Sequence, residues 1–188
     1  PGIVEQLTHK DWNSLLVRAR EGEEVAPPPR SWVPKTRPRP DLSVLDRAAG
    51  CMLGQLAGDA LGSLVEFQYP ATISASYPQG VRLLADGGHF DTIAGQATDD
   101  SELALLLARS LVERGGFDEE DVARRYAGWY QSRPFDMGNT TAIALSAAAR
   151  ALDTGEPVAI ASAIAARRGS PHSQANGALM RISPLAIA

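Results

Sequence analysis

The chain has 188 residues, of which 44% are hydrophobic and 21% are charged, and these values are typical of one compact globular domain. Its net charge of −4 argues against a protein whose whole surface binds nucleic acid. Its single cysteine, Cys51, excludes an internal disulfide framework. Neither a long apolar run nor a secretory signal is recognisable, so we expect a cytoplasmic protein that contacts no membrane.

Residues 1–40 form a first segment with its own composition. Residues 3–22 place apolar side chains among charges at helical spacing. Residues 26–40 contain six prolines, four basic residues and no acidic one, which excludes a helix or a central strand. We therefore predict an N-terminal helix and a Pro-rich arm that precede a domain over 41–188. A disordered linker is the simpler interpretation, but Trp32 among basic residues favours a partner-binding arm as the alternative.

The remainder of the chain has the pattern of a helical domain. From Leu42 onward the composition shifts to Ala, Leu and Gly, and apolar residues recur at helical spacing. The predicted helices are 43–66, 100–114, 119–131, 139–153 and 157–168. Alternating β-branched runs are nearly absent, and 69–97 is too rich in Gly, Pro, Ser and Thr for a long element. We therefore predict an all-α fold.

The first of these helices has glycine at every fourth position. The four residues are Gly50, Gly54, Gly58 and Gly62. Each glycine inside a helix costs about 1 kcal/mol relative to alanine, and their spacing places them on one face. Such a stripe allows close approach either of another helix or of a ligand, and the sequence leaves both open. Asp59 lies within the helix and Glu66 at its end, and an acid in an apolar helix should face a cavity or a partner.

The strongest local feature is the run Thr-Asp-Asp-Ser-Glu at residues 98–102. Taken alone, it predicts a helix start in which Asp99 caps the backbone and the other acids favour the helix dipole. The functional alternative is a cation site, because Thr98, Asp99 and Asp100 offer the hard oxygen ligands that Mg²⁺ prefers. Such a short run would supply about half of a site.

Two further polar loops each lead into apolar residues. Gly138, Asn139 and Thr140 open a predicted helix whose free backbone N–H groups could bind an anion, although capping by Asn139 or Thr140 is the simpler interpretation. The second loop, residues 172–181, is small and polar. Taken alone, His172 in this loop is an ordinary surface or core histidine.

Taken together, four motifs in this order resemble the ADP-ribosylglycohydrolase family, including the dinitrogenase-reductase-activating glycohydrolases. They lie in residues 54–66, 95–101, 136–141 and 172–181. The resemblance covers 43–188. It implies a compact multi-helix bundle with two Mg²⁺ ions, or Mn²⁺ ions, at the floor of a cleft. It also implies a hydrolase that removes ADP-ribose from modified proteins, with arginine as the expected linkage.

The resemblance also assigns roles to individual positions. Thr98, Asp99 and Asp100 match the first set of metal ligands. Glu66 matches the catalytic glutamate beside the scissile bond. The positions that match substrate-binding loops are Gly138, Asn139, His172, Ser173, Asn176 and Gly177. All these roles are implied by the family pattern and not by spacing alone.

Two departures from the family pattern leave alternatives open. Ala175 stands where related sequences usually have glycine, and the late Asp-x-Asp-Thr cluster that supplies the second set of metal ligands has no counterpart. We therefore expect a domain that is truncated at its C-terminus or completed by another chain. One alternative is a non-catalytic pseudo-enzyme that binds ADP-ribose. Another is an immunity protein, as some hydrolases resembling this family are, which occludes an ADP-ribosylating toxin through residues 1–40.

Overall fold

The computed structural model describes residues 41–169 and 171–187. Within them the chain is helical, with no strand beyond one isolated bridge between Gly87 and Thr92. The all-α prediction is therefore confirmed. No helix in this part of the chain is both long and apolar enough to cross a membrane. The predicted helix and Pro-rich arm of residues 1–40 lie outside the described residues.

The described residues form six α-helices and two short 3-10 turns. The helices are α1 (Leu42–Gly62), α2 (Pro70–Ser76), α3 (Asp99–Arg114), α4 (Glu119–Gln131), α5 (Asn139–Thr154) and α6 (Val158–Gly169). The 3-10 turns are Asn176–Ala178 and Ser183–Ala186. The last four predicted helices agree with α3 to α6 within one residue at either end. The first was predicted to reach position 66, but α1 ends at Gly62 and the chain continues as turns.

The hydrophobic core lies between α3, α4, α5 and α6. The apolar faces of α3 and α4 contribute Leu103, Leu107, Val122 and Ala127 among others, and the core also includes Leu145 of α5. These positions recur at the three- and four-residue spacing from which the helices were predicted. At the start of α4, Asp118 accepts a hydrogen bond from the Asp121 N–H at 3.0 Å, as expected for a capping residue.

Helix α1 lies at the edge of this core. Ala60 is its one residue that is fully buried in the described structure. Its four evenly spaced glycines are exposed, and no atom outside their own stretch of helix lies within 4 Å of a methyl group added at any of them. None of the described helices therefore packs closely on the glycine stripe.

Candidate active site

Five carboxylates come together at the N-terminus of α3. Electrostatic coupling connects Glu66 to Asp99 and Asp100, Asp99 to Asp136, and Asp100 to Asp59. We call Asp59, Glu66, Asp99, Asp100 and Asp136 the acidic cluster. The structure therefore brings together the predicted catalytic glutamate and the two predicted aspartate ligands.

Asp59 organises the start of α3 from the neighbouring helix α1. Its carboxylate accepts hydrogen bonds from the Thr98 N–H at 3.0 Å, the Ser101 N–H at 3.1 Å and the Thr98 hydroxyl at 2.7 Å. These bonds satisfy backbone donors that a helix N-terminus otherwise leaves without partners.

The capping prediction for Asp99 is wrong. Thr98 occupies the N-cap position without a side-chain capping bond, and Asp99 is the first helical residue. Because Asp59 takes over the capping role from outside the helix, the carboxylates of Asp99 and Asp100 are available for other interactions.

The cluster holds more negative charge than its surroundings compensate. Burial raises the pKa of Asp99 to about 6, with the Asp136 carboxylate adding to the effect. Burial together with Asp99 raises the pKa of Asp100 to about 6, and burial together with Glu66 raises the pKa of Asp136 to about 6. Burial and the same aspartates also raise the pKa of Glu66. Partly buried carboxylates that repel one another form an environment that a divalent cation would stabilise.

The donor set fits part of a divalent-cation site. Thr98 donates its hydroxyl proton to Asp59, so its oxygen lone pairs remain available, and Asp99 and Asp100 add hard carboxylate oxygens of the kind Mg²⁺ prefers. Across the described ranges, however, no three Asp, Glu, His or Cys side chains converge as a complete metal site. The described residues thus provide one side of a cation site rather than a closed coordination shell.

We call residues 136–141 the first substrate loop and residues 172–181 the second, after the roles predicted for them. The first loop contacts the cluster through its backbone. The Gly138 N–H points to the Asp99 carboxylate at 3.5 Å. Gly138 is the N-cap of α5 and no side chain caps the helix, so the simpler interpretation, capping by Asn139 or Thr140, is wrong. Asn139 is exposed as the first residue of α5, where backbone N–H groups lack helical partners.

The second substrate loop packs against the first through Gly177 and Arg181. Gly177 is buried, and a methyl group there would lie 2.7 Å from the Thr140 hydroxyl oxygen, so a larger residue would displace the Thr140 side chain. Arg181 is buried, donates to the Gly177 carbonyl at 2.6 Å and to the Thr141 hydroxyl at 2.7 Å, and lies 5.3 Å from the centre of the Tyr126 ring. Arg181 also couples electrostatically to Asp99.

The remaining predicted loop residues lie on the surface. His172, Ser173 and Asn176 are exposed, and the Ser173 hydroxyl accepts a hydrogen bond from the Ala175 N–H at 3.2 Å. Ala175 has φ −64° and ψ 142°, a conformation that any residue adopts. Its methyl group therefore causes no backbone strain, although related sequences usually have glycine there.

A row of aromatic rings borders the acidic cluster. Ring centres lie 4.8 Å apart for Phe67 and His89, 4.8 Å for His89 and Phe90, and 5.4 Å for Phe90 and Phe135. We call these four residues the aromatic row. The sequence contains no signal for it, because its members come from three distant segments. Asp136 lies in the third of the four family motifs, but no functional role was predicted for it.

A cavity of about 460 Å³ lies beside the second substrate loop. Its polar lining includes Thr140, Thr141, Ser173 and Arg181, and the remainder is mainly apolar. None of the described lining residues belongs to the acidic cluster. The cavity therefore adjoins the substrate loops but is separate from the carboxylates that could carry out hydrolysis.

Comparison with known proteins shows which family most of the chain matches. Residues 40–188 match the family model described as ADP-ribosylglycohydrolase. The chain is 39% identical over 150 residues to the ADP-ribosyl-[dinitrogen reductase] glycohydrolase of Rhodospirillum rubrum, an alignment that covers 78% of this chain and 46% of that protein. It is 33% identical over 178 residues to the ADP-ribosylarginine hydrolase Tri1 of Pseudomonas putida (strain GB-1), covering 91% of this chain and 44% of that protein.

A solved structure shares the fold as well. It is described as an ADP-ribosylglycohydrolase-related protein complex and superposes with a TM-score of 0.54 at 36% sequence identity. The match covers 77% of this chain and 43% of the solved one. The chain thus spans less than half the length of these relatives.

Proposed function

Because this chain belongs to the ADP-ribosylglycohydrolase family, we propose that its protein hydrolyses the bond between ADP-ribose and arginine side chains of modified proteins. The observation that carries the proposal is the acidic cluster at the N-terminus of α3, where Glu66 lies beside Asp99 and Asp100. The arginine linkage is supported by the similarity to a hydrolase named for ADP-ribosylarginine.

The carboxylates of the acidic cluster repel one another more than the nearby Arg181 compensates, because the pKa of Asp99 and of Asp100 is still raised. Thr98, Asp99 and Asp100 would hold one side of a site for two divalent cations, Mg²⁺ or Mn²⁺. When bound, such cations supply charge that orients ribose hydroxyls and polarises water. Burial and mutual repulsion raise the pKa of Asp99 and Asp100 to about 6, so both acids gain stabilisation when a cation binds.

Glu66 would orient the attacking water and transfer its proton. Its carboxylate is half-buried and close to Asp99 and Asp100, so it can accept a hydrogen bond from water at the edge of the cluster. The water hydroxyl forms a bond to the anomeric carbon as the carbon–nitrogen bond breaks towards the guanidine. The substrate guanidinium takes the electron pair of that bond and departs as neutral guanidine, and the remaining proton of the water passes through Glu66 to its nitrogen, which gives the guanidinium of free arginine. Charge at the anomeric carbon has the oxocarbenium character usual for glycoside hydrolysis.

The two loops would hold the rest of ADP-ribose. The backbone N–H groups of the first turn of α5, beginning at Asn139, suit a diphosphate because a helix N-terminus attracts anions. His172, Ser173, Asn176 and Gly177 form the second substrate loop, and Arg181 fixes this loop against α5 through Gly177 and Thr141.

The test is release of ADP-ribose from an arginine-ADP-ribosylated protein by the gene's full-length product. We expect release with Mg²⁺ or Mn²⁺ and its loss with EDTA. Asp100→Ala should abolish metal-dependent release, and Glu66→Gln should slow hydrolysis while ADP-ribose still binds. Asp46→Ala, at an exposed acid on α1, is the control and should change neither. Release that persists in EDTA would contradict the metal requirement. A folded, metal-loaded protein without release would instead be an ADP-ribose-binding pseudo-enzyme.

A second candidate function concerns residues 1–40. Residues 41–188 make up about four fifths of the chain, whereas the alignment with the Pseudomonas putida hydrolase covers 91%. The similarity therefore extends into the Pro-rich arm. We propose that this arm binds an ADP-ribosyltransferase toxin and occludes its active site. Deletion of residues 1–40 should weaken binding to a candidate toxin, and unchanged affinity would exclude this role.

A further inference from the structure

We propose that the aromatic row (Phe67, His89, Phe90 and Phe135) is the subsite for the guanidinium group of the ADP-ribosylated arginine. This inference rests on the proposed hydrolase function and deepens it, because it identifies which residues select the linkage. The row would recognise the leaving group, whereas the loops around Gly138 and Gly177 recognise ADP-ribose.

The position of the row supports this role. Its first ring, Phe67, directly follows Glu66, and its last ring, Phe135, directly precedes Asp136. Both carboxylates belong to the acidic cluster, and His89 lies near enough to Glu66 to interact with it electrostatically. The two ends of the row are therefore joined through the backbone to carboxylates of the cluster, and His89 interacts with the glutamate that adjoins the scissile bond in the proposed reaction.

Phe67 has two features that packing alone does not explain. Its side chain is 70% exposed, although a phenylalanine that is removed from water contributes about 1.5–3 kcal/mol. Its backbone has φ 61°, a left-handed conformation that is an outlier for a bulky residue. Local strain of this kind concentrates at binding and catalytic sites. An exposed and strained aromatic ring at the border of the cluster is what a ligand-binding platform requires.

The chemistry of the site favours a guanidinium. This group is a planar, delocalised cation that stacks on aromatic faces and binds carboxylates. The rings of the row meet edge-to-face, at interplanar angles of 67°, 82° and 63°, so the exposed Phe67 offers the accessible ring and the acidic cluster offers the negative charge. A neutral leaving group, such as a serine hydroxyl, would gain only an apolar contact from the same rings. The site thus complements both the shape and the charge of arginine.

The experiment compares Phe67→Leu with the unchanged full-length protein. Leucine keeps the apolar bulk but lacks the aromatic face, so it separates cation–π attraction from simple hydrophobic contact. Inhibition by agmatine, a free guanidinium compound, probes the subsite, and the dissociation constant of ADP-ribose probes the remainder of the site. Tyr69→Ala is the matched control, because Tyr69 is 82% exposed and lies outside the row.

We expect Phe67→Leu to weaken agmatine inhibition and to lower kcat/KM for arginine-linked substrate, each by roughly two- to fivefold. ADP-ribose affinity should stay unchanged, and Tyr69→Ala should alter neither quantity. Unchanged agmatine inhibition, or an equal loss of ADP-ribose affinity, would overturn the subsite and leave the hydrolase proposal standing. Phe67-dependent agmatine binding without any hydrolysis by the unchanged protein would instead overturn the hydrolase and keep the subsite.

Discussion

Asp59 connects two helices through a single carboxylate. It accepts hydrogen bonds from two backbone N–H groups and one hydroxyl of residues that lie 39 and 42 positions later in the chain. An asparagine has only one acceptor oxygen and would turn its NH₂ group towards the donors, so at least one of the three donors would lose its acceptor. We expect Asp59→Asn to reduce the free energy of unfolding by about 1–3 kcal/mol, as measured by urea denaturation.

The control for this change is Asp46→Asn. Asp46 lies on the same helix and is exposed, so its replacement should alter the free energy of unfolding by less than about 0.5 kcal/mol. Similar losses for the two variants would show that Asp59 does not organise the start of α3.

The sequence indicated candidate site residues, whose roles stay predictions, but it did not show how these residues are held in place. Thr98, Asp99 and Asp100 could be recognised because adjacent oxygen ligands before an apolar helix are visible in a short window. The capping of α3 could not be predicted. Thr98 and Asp99 are themselves residue types that cap helices, but the carboxylate that accepts from the N-terminal N–H groups of α3 belongs to Asp59 of another helix. Its position within an apolar helix was the available signal, since a buried acid needs a partner.

Helices were predictable wherever apolar residues recur at helical spacing over several turns. For α4 and α5 the predicted and observed bounds differ by at most one residue. The prediction failed where structure depends on distant contacts. Helix α2 is only seven residues long and lies in a polar segment, and the turn that holds Glu66 follows α1 where the periodic pattern alone would have continued the helix.

Gly88 connects this turn to the loop that contains His89 and Phe90. It has φ +78°, and a methyl group there would lie 2.4 Å from the Ser63 carbonyl oxygen. We expect Gly88→Ala to reduce the free energy of unfolding by about 2 kcal/mol or more, because strained dihedral angles and overpacking each cost about 1–3 kcal/mol. Chemical denaturation measures this change.

Gly116→Ala is the comparison for Gly88→Ala. Gly116 has no atom within 4 Å of an added methyl group and an ordinary backbone conformation, so we expect little change there. If Gly88→Ala were as stable as Gly116→Ala, the loop would not be fixed against the turn after α1.

The acidic cluster makes the stability of the protein depend on pH. Burial raises the pKa of Asp99, Asp100 and Asp136 to about 6, above the value of about 3.9 expected in the unfolded chain. Carboxyls with a raised folded-state pKa stabilise the fold at low pH, and this contribution is lost as the pH rises through about 6. In EDTA we therefore expect the Tm to fall between about pH 5 and pH 7.5.

The pKa of Asp121 shifts in the opposite direction, and its effect on stability falls in a different pH range. Burial alone would raise its pKa, but hydrogen bonds from Arg125 and Arg114 outweigh burial and lower it. Its contribution is therefore lost only below about pH 4.

Mg²⁺ at pH 7.5 should raise the Tm, because it binds the charged acidic cluster of the folded state. Asp100→Asn should reduce both the fall of the Tm with pH and its rise with Mg²⁺. A Tm that is independent of pH and Mg²⁺ would contradict this account.

The glycine stripe of helix α1 provides a test of whether another helix or a ligand covers this face of α1. The stripe is exposed, and among the described residues no atom outside the helix's own backbone lies within 4 Å of a methyl group added at Gly54. In the 188-residue chain we therefore expect Gly54→Ala to raise the free energy of unfolding by about 0.5–1 kcal/mol, the difference in helix propensity. The chain spans less than half the length of its relatives, so the same substitution should also be measured in the gene's full-length product. If a helix packs on the stripe in the full-length product, Gly54→Ala should destabilise that product. If ADP-ribose binds on the stripe instead, the variant should remain more stable and bind ADP-ribose more weakly. A decrease in stability already in the 188-residue chain would contradict the exposed position of the stripe.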